Sequence, residues 1–246
     1  ISQRVRDSPD YARIFAQVYP EIEQGREVGF TDISNAIAVF MEFEWRSDDS
    51  PFDAFLRGQG DLPAQAAKGM DLFYGEAQCS TCHAGPFQTD HSFHAMGAPQ
   101  LGPGKVARFE DHARDEGRFR VTGDPGDLYR FRTPSLRNVA LTAPYGHAGA
   151  HRDLTAFLQA HTRGQPIYDR AQALLPELPG AEDWRILDDP EATKAVIAAY
   201  EGPKVTLSAE DISAIGAFLD TLTGATAQIG RLGVPDSVPS GLTVDK

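Results

Sequence analysis

The chain contains two cysteines, Cys79 and Cys82, and His83 follows the second directly. Three chemistries use this spacing. A redox dithiol sits at the start of a helix that follows a buried strand. The residues before Cys79, LPAQAAKGMDLFYGEAQ, read instead as a helix: Pro63 suits its first turn, and Leu72 and Phe73 close an apolar face. A structural zinc site needs four ligands. His147 and His151, spaced H-x-x-x-H, could complete one, but they lie far along the chain and leave His83 without a role. The third chemistry is C-x-x-C-H, the signature of c-type haem attachment. Two thioethers hold the porphyrin, and the next histidine ligates iron. Only this reading uses all three residues. Covalent haem attachment generally takes place outside an energy-transducing membrane, which points to a bacterial periplasm.

The elements that must position these residues are mostly helical. Residues 8 to 19 read as a helix capped by Ser8, with Pro9 at its first position. From Thr31 to Arg46, Ile33, Ala36, Ile37, Phe40 and Met41 recur at helical spacing, which predicts one buried face. SPFDAFLRGQGD is a short helix ended by glycines. From Ala84 to Asp127 the chain is rich in Gly, Pro and His, as suits loops wrapped over a cofactor. A helix is predicted from about His151 to Thr162. Leu154, Phe157, Leu158 and His161 fall on one of its faces, so His161 points inward with the apolar residues. Residues 164–205 read as a looser insertion with a helix near 190–200. Ser208 and Asp211 form a capping signal for the last helix, whose core face is Ile212, Ile215, Leu219 and Leu222 and whose stop is Gly224. No strand series or internal repeat stands out.

Composition narrows the function classes. Of 246 residues, 41% are hydrophobic and 24% charged, a balance that suits a globular fold with a real core. Thirty-five acidic against 23 basic residues give a net charge of −12, which argues against nucleic acid and anionic membranes as partners. No apolar run reaches the length of a membrane span. The sequence opens at Ile1 and carries no signal-peptide pattern, which reads as a mature, processed or truncated chain.

Four segments, GMDLFYGEAQCSTCHAGP, FHAMG, DEGRFRVTGDP and FRTPSLRNVALTAPYGHAG, together resemble the C-terminal haem domain of the bacterial di-haem cytochrome c peroxidases and their MauG-like relatives. The likeness runs from about Ser8 to the closing VPSGL. It implies a class I cytochrome c-like haem domain, mostly α, with long loops and no substantial sheet. It also implies a division of the chain: residues 1–20 as the end of a preceding haem domain, residues 21–224 as the haem domain with its insertion at about 164–205, and residues 225–246 as an extended tail. The family has two haems and this chain has one C-x-x-C-H. The first haem, its anchor and the family's catalytic glutamate would precede Ile1, so the resemblance places no catalytic residue in this chain.

The family supplies further expectations residue by residue. His83 is the proximal iron ligand. The sixth ligand, methionine in the peroxidases and tyrosine in MauG, falls at His161, with Met96 of FHAMG as its rival. Two nitrogen ligands imply a six-coordinate, low-spin haem of lower potential than a methionine-ligated one. Backbone carbonyls of Thr142 and Pro144 match calcium-binding positions. Arg132 and Arg137 are candidates for pairing with haem propionates. His147, His94 and Tyr145 read as residues organising loops near the haem, while His91, His112 and His151 read as surface histidines. Met41 and Met70 read as core, and nothing singles out Trp45 or Trp184. The implied function is an oxidoreductase that reduces hydrogen peroxide, with this haem c relaying electrons to the second haem. The implied partners are an N-terminal haem domain or chain and a small periplasmic cytochrome or copper protein, with a homodimer allowed. The alternatives are a MauG-like oxidant of a partner protein and a one-haem electron-transfer module without catalysis.

Overall fold

The computed structural model describes residues 1–101, 114–163 and 184–244. His112 and much of the expected insertion, residues 164–183, lie outside the described residues. The chain divides into two compact units, Ile1–Asp49 with Ala225–Lys246, and Ser50–Gly224. Residues 21–49 and the tail from Ala225 group with the first twenty residues.

The first unit holds α1 (Ser2–Arg6), α2 (Pro9–Val18), α3 (Pro20–Glu23) and α4 (Phe30–Glu44). Asp32, in the first turn of α4, accepts the Gly29 amide at 2.8 Å and a fork from Arg26 at 2.8 and 3.0 Å. The Arg26 hydrogen bonds hold its carboxyl at a pKa of about 2. At the other end of α4, the buried Glu44 carboxylate accepts the backbone amides of Arg231, Leu232 and Gly233. Asp49 accepts the amide and hydroxyl of Thr226. These contacts tie the tail to this unit. The expected buried face of α4 is largely absent: Ile33 is buried, but Ile37, Phe40 and Met41 are exposed. An apolar stripe is buried only where a second layer covers it, and among the described residues none covers this one.

The second unit holds α5 (Pro51–Leu56), α6 (Ala64–Tyr74), a two-residue ribbon of β1 (Phe93–His94) and β2 (Phe131–Arg132), the short α7 (Phe119–Thr122), α8 (Leu154–Arg163), α9 (Pro190–Ala198) and α10 (Ala209–Asp220). The ribbon is antiparallel, with Phe93 opposite Arg132 and His94 opposite Phe131. The fold is mostly helical, as the sequence indicates. α8 starts three residues later than expected, because His151 pairs its backbone with Tyr145. Ser50 with Asp53 and Ser208 with Asp211 form reciprocal caps for α5 and α10.

The core of this unit is the crossing of α6 and α10. Phe73, Ile215, Phe218 and Leu222 are at most 2% exposed. Phe218 meets Phe52 edge-on and Phe73 at a tilt, each at 5.2 Å between centroids. Gly69 lets the two backbones touch, since a Cβ there would lie 1.8 Å from the Ala214 carbonyl oxygen. This crossing fixes the end of α6, and therefore the residues that follow it.

Candidate haem-binding cavity

α6 ends at Gly75, and the chain turns through Gln78 in a left-handed conformation into a 3-10 turn, Cys79–Thr81. The turn brings Cys79, Cys82 and His83 to the wall of a cavity of about 470 Å³. This is within the roughly 300–1,000 Å³ typical of cofactor-sized sites. Another part of the wall comes from α8 and the loop before it, including Leu154, Leu158 and His161. The inward face predicted for α8 is therefore the face that meets the cavity.

His83 is oriented by its main-chain surroundings. Its Nδ1 lies 3.1 Å from the Gln88 carbonyl oxygen. A carbonyl only accepts, so Nδ1 donates and Nε2 keeps the free lone pair that a metal needs. Burial lowers the pKa of His83. Burial, reinforced by the electrostatic influence of His83 and then His151, lowers that of His161 to about 4. Both rings are thus neutral at physiological pH and able to ligate. His161 owes its residual exposure to facing the cavity.

The cysteines are unpaired, and neither is activated. Burial pushes the Cys79 thiol up to about 11 and raises that of Cys82. Redox dithiols show lowered thiol pKa values, so this environment speaks against that chemistry. The zinc grouping is not assembled either. His147 stacks on Phe131 at 3.6 Å between centroids and bonds to the Asp115 carboxylate at 3.0 Å. Among the described residues, the three-residue grouping of potential metal donors is Cys82, Asp90 and His94. Within it the His94 Nε2 is already bonded to Asp90 at 2.8 Å.

The remaining predicted residues separate into two groups. Met96, Arg132, Thr142, Pro144, Tyr145, His94 and His147 all line the cavity. Met96 packs its thioether over Gly202, where a Cβ would come within 2.7 Å of Sδ. Arg132 bonds to His91 at 2.9 Å. Arg137 is placed elsewhere: its guanidinium forks onto Asp53 at 2.8 and 2.9 Å, and its Nε donates to the Pro86 carbonyl at 2.7 Å. The Arg137 hydrogen bonds hold the Asp53 carboxyl at a pKa of about 2. Arg137 thus braces the loop after the C-x-x-C-H motif against α5.

His151 corrects the surface reading. It is 7% exposed, lines the cavity and meets Phe157 edge-on at 5.5 Å. A signal was present in the sequence, because His151 stands three residues before Leu154 on the face that continues to Leu158 and His161. Gln88 left no such signal, since only the fold brings its carbonyl to His83. The donor set fits a covalently bound haem c: two thiols, an oriented imidazole and a second imidazole share one largely apolar cavity.

Comparison with known proteins agrees with this chemistry. Residues 1–61 match the family described as di-haem cytochrome c peroxidase. The chain is 38% identical over 151 residues to a cytochrome c peroxidase of Escherichia coli, covering 61% of this chain and 30% of that protein. It is 32% identical over 168 residues to the methylamine utilization protein MauG of Methylorubrum extorquens, covering 67% of this chain and 43% of that protein. A solved structure of a MauG-like protein associated with microbial copper homeostasis superimposes with a TM-score of 0.68 at 32% identity, covering 91% of this chain and 61% of that one. The chain spans less than half the length of either curated relative. By sequence and by fold, the chain is similar to the di-haem cytochrome c peroxidases and MauG.

Proposed function

We propose that this chain is the electron-relaying haem part of a di-haem peroxidase-type oxidoreductase of the periplasm. The observation that carries this reading is His161, a neutral imidazole on the same cavity as Cys79, Cys82 and His83. Cys79 and Cys82 would hold haem c as thioethers, and the His83 and His161 imidazoles would be its iron ligands. Haem c bound there supplies a one-electron redox centre. With both imidazoles engaged, this chain would offer peroxide no open site, and peroxide reduction would belong to a second haem outside it. Arg132, at the cavity wall, is the arginine suited to a propionate, whereas Arg137 is committed to Asp53. The carbonyls of Thr142 and Pro144 are hard donors for calcium, which needs further ligands from outside this chain. The electron donor is a small periplasmic cytochrome or copper protein.

The likeness to a MauG-like structure over 91% of the chain supports a second reading, in which the assembled enzyme oxidises residues of a partner protein. Comparing a reduced small cytochrome with a protein tyrosine or tryptophan as electron donor separates the two.

Intact mass and haem count, followed by the ferric spectrum at room temperature, test the ligation. One covalent haem per chain and a low-spin spectrum are expected. A predominantly high-spin haem, or peroxide turnover by the 246 residues alone, would refute the relay role.

A further inference from the structure

A hydrogen-bonded chain leads from the helical core through Tyr74 and Gln88 to His83. Tyr74 closes α6, its ring held edge-on to Phe73 at 5.2 Å and to Phe218 at 6.0 Å. Its hydroxyl donates to the Gln88 side-chain carbonyl at 2.9 Å. The Gln88 amide nitrogen donates to the Gly85 carbonyl at 3.3 Å. These two contacts fix which end of the side-chain amide faces which partner. The Gln88 main-chain carbonyl then accepts from His83 Nδ1 at 3.1 Å.

The backbone at Gln88 makes this chain more than incidental. Gln88 is 4% exposed and has φ of +51°, a left-handed conformation that non-glycine residues seldom adopt. A glycine there would take the same conformation without strain. A long polar side chain held in an unfavourable backbone state needs a compensating contact. Tyr74 and Gly85 provide it. The Pro134 carbonyl also acts on the His83 ring, but more weakly than that of Gln88.

We propose that Tyr74 and Gln88 are positioning residues for His83. They hold the Gln88 carbonyl against Nδ1, and so set both the orientation of the imidazole and its donor strength toward haem iron. The inference rests on the reading of His83 as an iron ligand. An acceptor on Nδ1 raises the basicity of Nε2, which favours ferric over ferrous haem. Weakening it shifts the balance toward ferrous.

The test uses the haem-loaded protein with Tyr74→Phe and Gln88→Gly. The first removes one hydroxyl and leaves the ring packing. The second removes the side chain while tolerating the positive φ. Redox titration followed in the Soret band reads the ferric-to-ferrous ratio at a fixed ambient potential. That ratio is expected to fall roughly two- to tenfold in each variant, the range commanded by one hydrogen bond. Low-temperature electron paramagnetic resonance should show changed g-values at unchanged spin state, a signature that loss of general stability does not produce. Unchanged ratios and g-values in variants that carry covalent haem overturn the inference alone. A wild-type spectrum without nitrogen-ligated low-spin haem overturns the ligation reading, and this inference with it.

Discussion

Substituting Gly69 by alanine tests whether the α6–α10 crossing sets the site. The new Cβ would stand 1.8 Å from the Ala214 carbonyl oxygen, 2.4 Å from its carbon and 3.0 Å from the Ile215 nitrogen. Ordinary C···O contact begins near ~3.3 Å, so the helices must part by about 1.5 Å. The obstacle is backbone, with no flexible side-chain end to yield. Opening the crossing loosens Phe73, Ile215 and Phe218, which are almost fully buried. A gap of ~0.5–1 Å already forfeits a quarter to a half of a dispersion contact. Overpacking costs roughly 1–3 kcal/mol, and the helix propensity of alanine over glycine returns about 1 kcal/mol. Because the clash lies in the best-packed part of the core, we expect a net loss of about 2 kcal/mol. For a unit of this size that lowers the melting temperature by roughly 4–8 °C. Thermal unfolding of the haem-loaded protein by far-ultraviolet circular dichroism reads it. Gly216→Ala is the control, because a Cβ at that position of α10 meets nothing within 4 Å and should stabilise slightly. Equal melting temperatures for Gly69→Ala and wild type would remove the close approach from the argument.

Three further outcomes are expected. The Asp53 carboxyl has a folded pKa of about 2 against an ordinary 3.8, so its contribution is present above pH 4 and is lost as pH falls toward 2. Asp53→Asn should therefore cost at most about 2 kcal/mol at pH 7 and much less near pH 2, as read by urea unfolding at both pH values. Glu44→Ala removes the acceptor of three tail amides and should accelerate hydrogen exchange at Arg231, Leu232 and Gly233, with protection elsewhere in α4 kept; unchanged exchange at those amides would show that the carboxylate does not hold the tail. Cys82→Ala should leave haem attached through Cys79 alone, with the α-band displaced in the pyridine haemochrome spectrum; an unshifted band would mean that Cys82 forms no thioether.

The chemistry of the site was legible in local spacing. Cys79, Cys82 and His83 are adjacent, so one turn is enough to present them together, and the spacing carries the chemistry whatever surrounds it. The inward direction of His161 followed from helical period in the same way, because the face of α8 that is apolar must meet either core or cofactor. The cap at Ser208 is likewise an interaction over three residues, and it forms as its sequence indicates. Other assignments depend on who the distant neighbour is. The stripe on α4 has the right period, yet Ile37, Phe40 and Met41 stay exposed, because periodicity names a face without providing the layer that covers it. Arg137 was one of two arginines suited to a propionate, and a carboxylate 84 residues away claims it. The Gln88 carbonyl reaches His83 where a loop passes through a left-handed residue, whose side chain bonds to Tyr74, 14 residues away. Short-range spacing thus determined which atoms could bind a haem, and only the tertiary contacts decided how those atoms are held, because hydrogen-bond partners distant in sequence are set by the fold.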